Sequence, residues 1–469
     1  MHDMSFSVLL RRWERRSVKL AAAVGGVVAL SAVIALADSS ATKAATKHIG
    51  GSVTVWAEWT GPEQQSFEAA ITPFETQTGI KVNYAGKPSG TMDSATETAV
   101  KGGKPPDVAI LPDPGTLRIL AADHALTPVG PIIGKESKNY AASWNTLASV
   151  KGKQYGVWFK AANKNTIWYN PAEFAAAGIT SLPTTWTGLL ADATTIKAAG
   201  IAPFSLCTDV GWPVADLWQN LYLKSAGPTD YDKLAAHQIP WTSPTVTTAF
   251  NLLADLVGTP SDLLGGTSGA LSSTYPGCVD KVFPAPGSLP QAAMVIEADF
   301  VVNEINSNSS NYTPGLKGTG GATCTADASK TPCYDFFAFP YPSASDSTYA
   351  SALQGAGDVA TLTKSTPQSR AFIKYLASPE GGAIWAHLGG FTSPNKGVPL
   401  SAYPDPVTRA DAKELVDAKG FVFSLDDLQG SWEPDLWADM LSVVKTPTAA
   451  NIAAVEQTMQ AQATAAGIK

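Results

Sequence analysis

Apolar residues between positions 53 and 82 follow first a strand pattern and then a helix pattern. The apolar stretch 53–57 predicts a strand, and a second strand is expected directly after Gly79. Between them, apolar residues at i, i+3, i+4 and i+7 predict a helix with one face toward a core: Phe67, Ala70, Ile71 and Phe74. Pro73 lacks a backbone donor, which predicts a kink or an early end. The turn after the first strand would lie where open α/β sheets bind ligands.

Strand and helix patterns alternate along the rest of the chain. Further strands are predicted at 106–111, 155–159, 166–169, 203–206, 292–296, 334–339 and 357–362. Helices are predicted from 116, 171, 212 and 244, and the chain from 367 onward is mainly helical. This alternation predicts an α/β protein whose parallel sheets are covered by helices on both faces. A chain of 469 residues exceeds what one core usually supports, so two domains are expected.

The first 49 residues have the pattern of an export signal and a tether. Five basic residues precede an apolar run at 20–36: Arg11, Arg12, Arg15, Arg16 and Lys19. Ala35-Leu36-Ala37 fits a cleavage site, so residues 1–37 are predicted to be a signal peptide and 38–49 a flexible tether. An uncleaved membrane anchor is the alternative, and the paired arginines weakly match a twin-arginine signal. No cysteine lies near position 37, so the predicted location is extracytoplasmic without lipid attachment.

The net charge argues against one class of partner, and the cysteine content indicates disulfides rather than a metal site. The formal net charge is −7, and it becomes more negative without the basic leader, which argues against nucleic acid as a partner. Four cysteines in an exported chain predict two disulfides, and three pairings are possible: Cys207, Cys278, Cys324 and Cys333. Cys207–Cys278 with Cys324–Cys333 is favoured because the second pair closes a small loop. A zinc site is disfavoured because the spacing is not CxxC and no His is nearby. No metal or other cofactor is predicted.

Polar and aromatic residues recur where predicted strands end. They are Glu58, Trp59, Asp113, Trp158, Lys160, Trp212, Asp216, Asp299, Phe300 and Asp358, with Trp432 and Trp437 near the C-terminus. Such a set suits a sugar, because aromatic faces stack on a pyranose ring while carboxylates and Lys bind its hydroxyls. The alternative for each Trp is core packing, and for Asp113, Asp216 or Asp358 it is a turn or a first helical turn.

Nine segments together carry a resemblance to a known family. They are 53–61, 74–80, 105–109, 152–170, 182–186, 211–213, 292–294, 337–340 and 372–380. In their order and spacing the chain resembles extracellular solute-binding proteins of family 1, which serve carbohydrate ABC importers and include maltose-binding protein. It is most similar to the alpha-glucoside branch. The family lacks an obvious counterpart of the tract between Cys324 and Cys333, and many relatives carry a lipid-modified cysteine that this leader lacks.

The resemblance implies a type II periplasmic-binding-protein fold of two lobes, each a sheet flanked by helices. Lobe 1 would comprise 50–161 and 357–400, and lobe 2 would comprise 162–356 and 401–469. The chain would cross between lobes near 160–164, 355–358 and 400. A sugar, either an alpha-glucoside or a malto-oligosaccharide, would be held between the lobes and delivered to ABC permease subunits by a monomeric protein that is not an enzyme.

The resemblance also assigns roles to individual residues. Glu58, Trp59 and Asp113 would be ligand groups of lobe 1, and Lys160 and Asn163 would lie at the hinge. Trp212, Phe300 and Trp437 would be the stacking aromatics of lobe 2, and the mapping extends to Asp216, Asp299, Asp358 and Trp432. Two alternatives stay open: a secreted glycoside hydrolase using two carboxyls among Glu58, Asp113, Glu297 and Asp299, and a surface adhesin.

Overall fold

The structure is a computed structural model that describes residues 48–88, 90–308, 313–314, 333–418 and 420–466. The predicted signal peptide and nearly all of the tether lie outside these residues, as does Cys324. In the described part of the chain, no helix combines the length and apolar character needed to cross a membrane.

Two larger sheets organise the described residues. The first contains six strands in the order β13-β12-β3-β1-β2, with β6 also paired to β12. The second has the order β10-β11-β7-β9-β8, and β4 and β5 form a small hairpin. The strands are β1 Ser52–Ala57, β2 Lys81–Gly86, β3 Val108–Leu111, β4 Ser149–Val150, β5 Lys153–Gln154, β6 Gly156–Asn163, β7 Thr166–Tyr169, β8 Ala202–Phe204, β9 Ala292–Ile296, β10 Thr313–Pro314, β11 Cys333–Ala338, β12 Ala352–Leu362 and β13 Gly420–Phe423.

Helices cover the sheets and bury their apolar faces. They are α1 Gly61–Thr78, α2 Met92–Lys101, α3 Pro114–Ala122, α4 Gly130–Ile133, α5 Ala142–Leu147, α6 Pro171–Ala176, α7 Trp186–Ala198, α8 Trp212–Ala226, α9 Pro228–Ala235, α10 Pro244–Val257, α11 Gly266–Ser272, α12 Gly277–Val282, α13 Val301–Asn308, α14 Pro367–Leu376, α15 Pro379–Leu388, α16 Pro406–Asp417, α17 Glu433–Lys445 and α18 Ala449–Ala466. Short 3₁₀ turns lie at Gly134–Asn139, Pro260–Asp262, Leu400–Ala402, Asp426–Leu428 and Gly430–Trp432.

Each large sheet has its own apolar core. One core joins β1, β3 and β6 to α1, α14 and α15 through buried side chains such as Phe67, Phe159 and Trp385. Another joins β7 and β9 to α8, α10, α17 and α18 through Trp218 and Phe250. The part built on the first sheet is called lobe one below, and the part built on the second sheet lobe two. This two-lobed α/β architecture confirms the predicted fold class.

Two of the three segments that were predicted to carry the chain between lobes, near 160–164 and 355–358, lie side by side. Strand β6 belongs to the first sheet and β7 to the second, so the chain passes between sheets within Lys164–Asn165. The end of β6 pairs antiparallel with β12, bringing Asn163 opposite Gly355 and Lys160 opposite Asp358. The segments 160–163 and 355–358 thus hydrogen-bond to each other. Strand β13 pairs with β12 in the first sheet, although its residues fall in the segment 401–469 that was predicted for lobe 2. The lobe boundaries given in the sequence analysis remain predictions.

Two local expectations differ from the structure. The sheets are mixed, since β12 runs antiparallel to β3 and β6, and β7 runs antiparallel to β9 and β11. Strands that arrive from the other lobe need no βαβ crossover, so nothing forces them parallel. Helix α1 continues through Pro73 to Thr78, because its buried face, which includes Phe67, Ile71 and Phe74, holds the helix despite one missing donor.

The favoured disulfide pairing is present in part. Cys207, after β8, is bonded to Cys278 in α12. Cys333 is also disulfide-bonded. Its predicted partner, Cys324, lies outside the described residues.

Candidate functional site

A cleft of about 370 Å³ lies between residues of the two lobes. Carboxyl groups, aromatic rings and two lysines converge on it. The lining residues are Glu58, Thr60, Gly61, Pro62, Glu63, Pro88, Gly90, Asp93, Pro112, Lys160, Ala162, Lys164, Trp212, Tyr275, Pro276, Phe300, Glu304, Ala356, Gly357, Asp358, Asp427, Glu433 and Trp437. Its volume and its mixture of apolar and polar walls are typical of a small-molecule site.

The paired strands β6 and β12 supply one wall of the cleft. Lys160 in β6 and Asp358 in β12 are register partners, and Glu58 directly follows β1. The ammonium of Lys160 forms an ion pair with Glu63 in the first turn of α1. Its Nζ also lies 5.1 to 5.9 Å from the ring centroids of Trp385, Phe300 and Trp59. Lys160 is thereby fixed in one place by a carboxylate and by aromatic faces.

Lys164 is held in place at the point where the chain leaves β6. Its Nζ donates to Asp216 Oδ1 at 2.7 Å and to Ser424 Oγ at 2.9 Å, and it lies 3.8 Å from Asp427 Oδ2. Gln354 Nε2 donates to the same Asp216 oxygen at 3.2 Å. Asp216 therefore serves Lys164 and does not line the cleft.

Aromatic side chains of lobe two form a second wall. The rings of Trp212, Tyr275 and Phe300 meet edge to face, with centroids 5.2 to 6.0 Å apart. Trp437 Nε1 donates to Asp426 Oδ2 at 2.8 Å, which fixes the orientation of its ring. A Cβ at Gly211, where φ is 93°, would lie 2.7 Å from Trp437 Cβ, so only glycine allows this approach of α17 to the start of α8.

The cleft carboxyls hold their protons unusually tightly. Burial, with the nearby charges of Asp358 and Glu63, raises the pKa of Glu58 to about 8. Burial, opposed by Lys160, raises the pKa of Asp358 to about 7. Burial and the charge of Glu63 likewise raise the pKa of Glu304 to about 7. At neutral pH these groups can both donate and accept hydrogen bonds.

Three carboxyls from the two lobes lie close together, and two of them, Asp93 and Glu433, line the cleft. Oxygens of Asp93, Asp113 and Glu433 all lie within 4.8 Å of one another. Asp93 is on α2, Asp113 caps α3 by accepting from Thr116 N at 2.6 Å, and Glu433 begins α17. Burial raises the pKa of Asp93 and of Glu433 well above the ordinary value.

Six of the residues singled out by sequence line the cleft together. They are Glu58, Lys160, Trp212, Phe300, Asp358 and Trp437. Asp113 does not line the cleft, but its carboxyl lies within 4.8 Å of those of Asp93 and Glu433.

Three predicted tryptophans are buried in the cores instead. Trp59 packs on Phe67 and Trp385, Trp158 donates its Nε1 to Trp144 O at 2.6 Å, and Trp432 donates to Gln462 Oε1 at 3.0 Å. All three are at most 3% exposed.

Asn163 and Asp299 join a buried network behind β6 that does not line the cleft. Asn163 Nδ2 donates to Asp411 Oδ1 at 2.9 Å and to Glu414 Oε2 at 3.2 Å. Asp299 accepts from Asn163 N at 3.2 Å and from the hydroxyl of Thr392. Asn163, Asp299, Thr392, Asp411 and Glu414 are called the hinge network below.

Sequence reasoning missed several lining residues of the cleft. They are Glu63, Asp93, Lys164, Tyr275, Glu304, Asp427 and Glu433. Sequence patterns pointed to two of them: Glu433 directly follows Trp432, and Glu63 lies in the first turn of the helix that comes after Glu58. No sequence pattern pointed to Tyr275 or Asp93, because they reach the cleft from segments with no predicted strand end nearby.

The chain is similar in sequence to known solute-binding proteins. The profile described as bacterial extracellular solute-binding protein matches residues 58–271. The osmoprotective compounds-binding protein of Synechocystis sp. is 30% identical over 382 residues, covering 80% of this chain and 84% of that protein. The alpha-glucosides-binding periplasmic protein of Rhizobium meliloti is 29% identical over 423 residues, covering 86% of each.

Solved structures of other receptors have the same fold. The bacterial solute receptor AcbH, described as preferring β-D-galactopyranose, superposes with a TM-score of 0.75 at 19% identity, covering 89% of this chain and 99% of that receptor. A chitin oligosaccharide binding protein gives 0.72 at 21% identity over the same shares. Given the identity to the Synechocystis protein over most of both chains, this protein belongs to the family of bacterial extracellular solute-binding proteins.

Proposed function

We propose that the protein is the substrate-binding component of an ABC importer and captures a carbohydrate between its two lobes. The observation that carries this proposal is the pairing of half-buried aromatic rings with carboxyls in one cleft. Trp212, Phe300 and Trp437 offer ring faces from lobe two, and Glu58 and Asp358 offer oxygens from lobe one. A pyranose has an apolar face for the rings and a rim of hydroxyls for the carboxyls.

Capture would follow from the way the lobes are joined. The hinge strands β6 and β12 run side by side at the base of the cleft, so a small rotation there would change the separation of the walls. Closure would bury sugar hydroxyls against fixed groups. A sugar that misplaces one hydroxyl would leave a buried partner unsatisfied, at a cost of about 1–3 kcal/mol. The closed form would then be recognised by the permease.

The relatives favour an alpha-glucoside as the sugar. One of them is named for alpha-glucosides and another for osmoprotective compounds. We infer an extracytoplasmic, monomeric binding protein that performs no reaction on its sugar. Glu58, Asp358 and Lys160 would bind hydroxyls, while Trp212, Phe300 and Trp437 would stack.

A sugar panel tests the proposal. Thermal unfolding is measured with maltose, malto-oligosaccharides, trehalose and sucrose, and each sugar is then recovered and analysed. A ligand at a hundred times its Kd should stabilise the protein by about 2.7 kcal/mol and be recovered intact. Cleaved sugar would favour the hydrolase alternative. No stabilisation by any sugar would contradict the proposal.

A further inference from the structure

The disulfide between Cys207 and Cys278 joins two segments that both reach the cleft. Trp212 lines the cleft five positions after Cys207, and Tyr275 lines it three positions before Cys278. The bonded residues are 71 positions apart in the chain. The rings of Trp212, Tyr275 and Phe300 are called the aromatic wall below. One covalent bond thus ties together two stretches of lobe two that carry two of its three rings.

Regular secondary structure does not hold these two segments. Residues 205–211, between β8 and α8, and residues 273–276, between α11 and α12, are neither helix nor strand. Thr208 N and Asp209 N both donate to Ser273 O, at 3.1 and 3.3 Å. Because these two hydrogen bonds share one carbonyl, the disulfide is the stronger constraint on how far the segments can move apart.

The disulfide also lies in the apolar cluster on which the aromatic wall packs. Cys207 and Cys278 are 2% and 0% exposed, and they pack in one buried cluster with side chains of α12 and α13. Tyr275 and Phe300 pack against that same cluster and line the cleft. Since Trp212, Tyr275 and Phe300 contact one another edge to face, a shift of one segment would displace all three rings.

We propose that the Cys207–Cys278 disulfide positions the aromatic wall for the bound sugar, so that two cysteines outside the cleft set its affinity. This role rests on the proposed function and adds positioning residues to the site. Neither cysteine lines the cleft, so both act through the rings. A ligand that meets an ordered wall does not have to order it on binding, and its affinity is higher for that reason.

A purely structural disulfide would have a different effect. It would stabilise lobe two by restricting the unfolded chain, and it would leave the sugar affinity of the folded protein unchanged. Affinity and stability must therefore be measured separately.

Removal of the bond tests the positioning role. Cys207→Ala/Cys278→Val deletes the bond and keeps most of the apolar volume. Calorimetry measures its affinity for whichever of maltose, malto-oligosaccharides, trehalose and sucrose binds the wild type most tightly. We expect an affinity about tenfold weaker than that of the wild type. Val282→Ala is the matched control: Val282 is fully buried in the same cluster, so the variant should lose stability and keep its affinity.

A double-mutant cycle with Trp212→Ala shows whether the cysteines act through the ring. Loss of the disulfide should weaken binding less in the Trp212→Ala background than in the wild type, because one of the rings that it positions is already gone. Fully additive losses of affinity would contradict the positioning role.

Hydrogen exchange of the wild type gives a test that holds even if the double variant does not fold. The amides of Thr208 and Asp209 donate to Ser273 O, and the amide of Cys278 donates to Thr274 O. These amides should be protected before sugar is added and should gain little protection on binding. Amides that exchange freely without sugar and become protected only when it binds would show a wall ordered by the ligand, which contradicts the proposal.

The outcomes separate this role from the proposed function. Sugar binding of wild-type strength in the folded Cys207→Ala/Cys278→Val protein would contradict the positioning role and leave sugar binding intact. If none of these sugars binds the wild type, the proposed function fails and the positioning role fails with it.

Discussion

Glu58 in the cleft and the carboxyls of the hinge network are the same chemical group in opposite states of hydrogen bonding. In the hinge network, Asp299 and Asp411 receive hydrogen bonds from Asn163 and Thr392. In the cleft, the carboxyl of Glu58 receives no hydrogen bond from any described residue, and burial raises its pKa to about 8. Carboxyls that receive hydrogen bonds from protein groups hold the strands together, whereas a carboxyl that receives none is available to a ligand. We assign structural and binding roles on this difference rather than on residue type.

The largest effect is expected at a core tryptophan that resembles a cleft tryptophan in sequence. Trp158→Ala removes a fully buried ring and the hydrogen bond to Trp144 O. The free energy of unfolding should fall by about 3–5 kcal/mol. Denaturant unfolding measures it, and the sugar affinity of the remaining folded protein should be unchanged. A large loss of sugar affinity without a loss of stability would show that Trp158 acts in binding and would contradict its assignment to the core.

The corresponding change in the cleft should act on binding. Trp437→Ala removes a half-buried ring that a ligand would cover, so affinity should fall about tenfold to a hundredfold. Titration calorimetry gives the change. Trp437→Phe is the control, because it keeps a ring face and loses only the hydrogen bond to Asp426. If Phe is as damaging as Ala, stacking is not the role of this residue.

A smaller effect on stability is expected in the hinge network. Asn163→Ala deprives Asp411 and Glu414 of a donor that lies inside the fold. The free energy of unfolding should fall by about 1–3 kcal/mol. Glu58→Gln, measured in the same way at pH 7, should cause no such loss. Equal losses in the two variants would remove the distinction between the regions.

The last prediction concerns the dependence of stability on pH. The ordinary pKa of Glu is 4.5, whereas Glu58 in the folded protein has a pKa of about 8. Between these values the folded state binds the proton and the unfolded state does not, so the contribution of Glu58 to stability is full below pH 4.5 and falls as pH rises toward 8. Asp358, with a pKa of about 7, acts in the same direction. Unfolding of Glu58→Gln between pH 5 and 8 should show a shallower fall than the wild type; an unchanged slope contradicts this assignment.

Much of the fold could be predicted from the sequence, because the spacing of apolar residues and the residues that begin or end helices and strands agree with the structure. The apolar run Ala292–Ile296 is a strand with those bounds, and Trp212 begins the predicted helix α8. The antiparallel pairing of β12 was not accessible, because register with β6 depends on contacts between residues almost two hundred positions apart.

The candidate site was only partly accessible. Glu58 follows the end of β1 as expected, whereas Lys160 and Asp358 lie inside β6 and β12, which extend further than predicted and pair at these two residues. Trp432 and Trp437 look alike in sequence, yet the first faces the core on Trp241 and the second faces the cleft. That choice depends on how α17 packs, which no local pattern encodes.

Sugar binding between the lobes, at the aromatic and carboxyl walls of this cleft, can be measured by titrating the wild type and Trp212→Ala with malto-oligosaccharides and trehalose. Tryptophan fluorescence follows the titration. We expect a saturable change for the wild type, an affinity at least tenfold weaker for the variant, and recovery of the sugar intact. Binding that is unaffected by Trp212→Ala, or no binding to the wild type at all, would contradict this expectation.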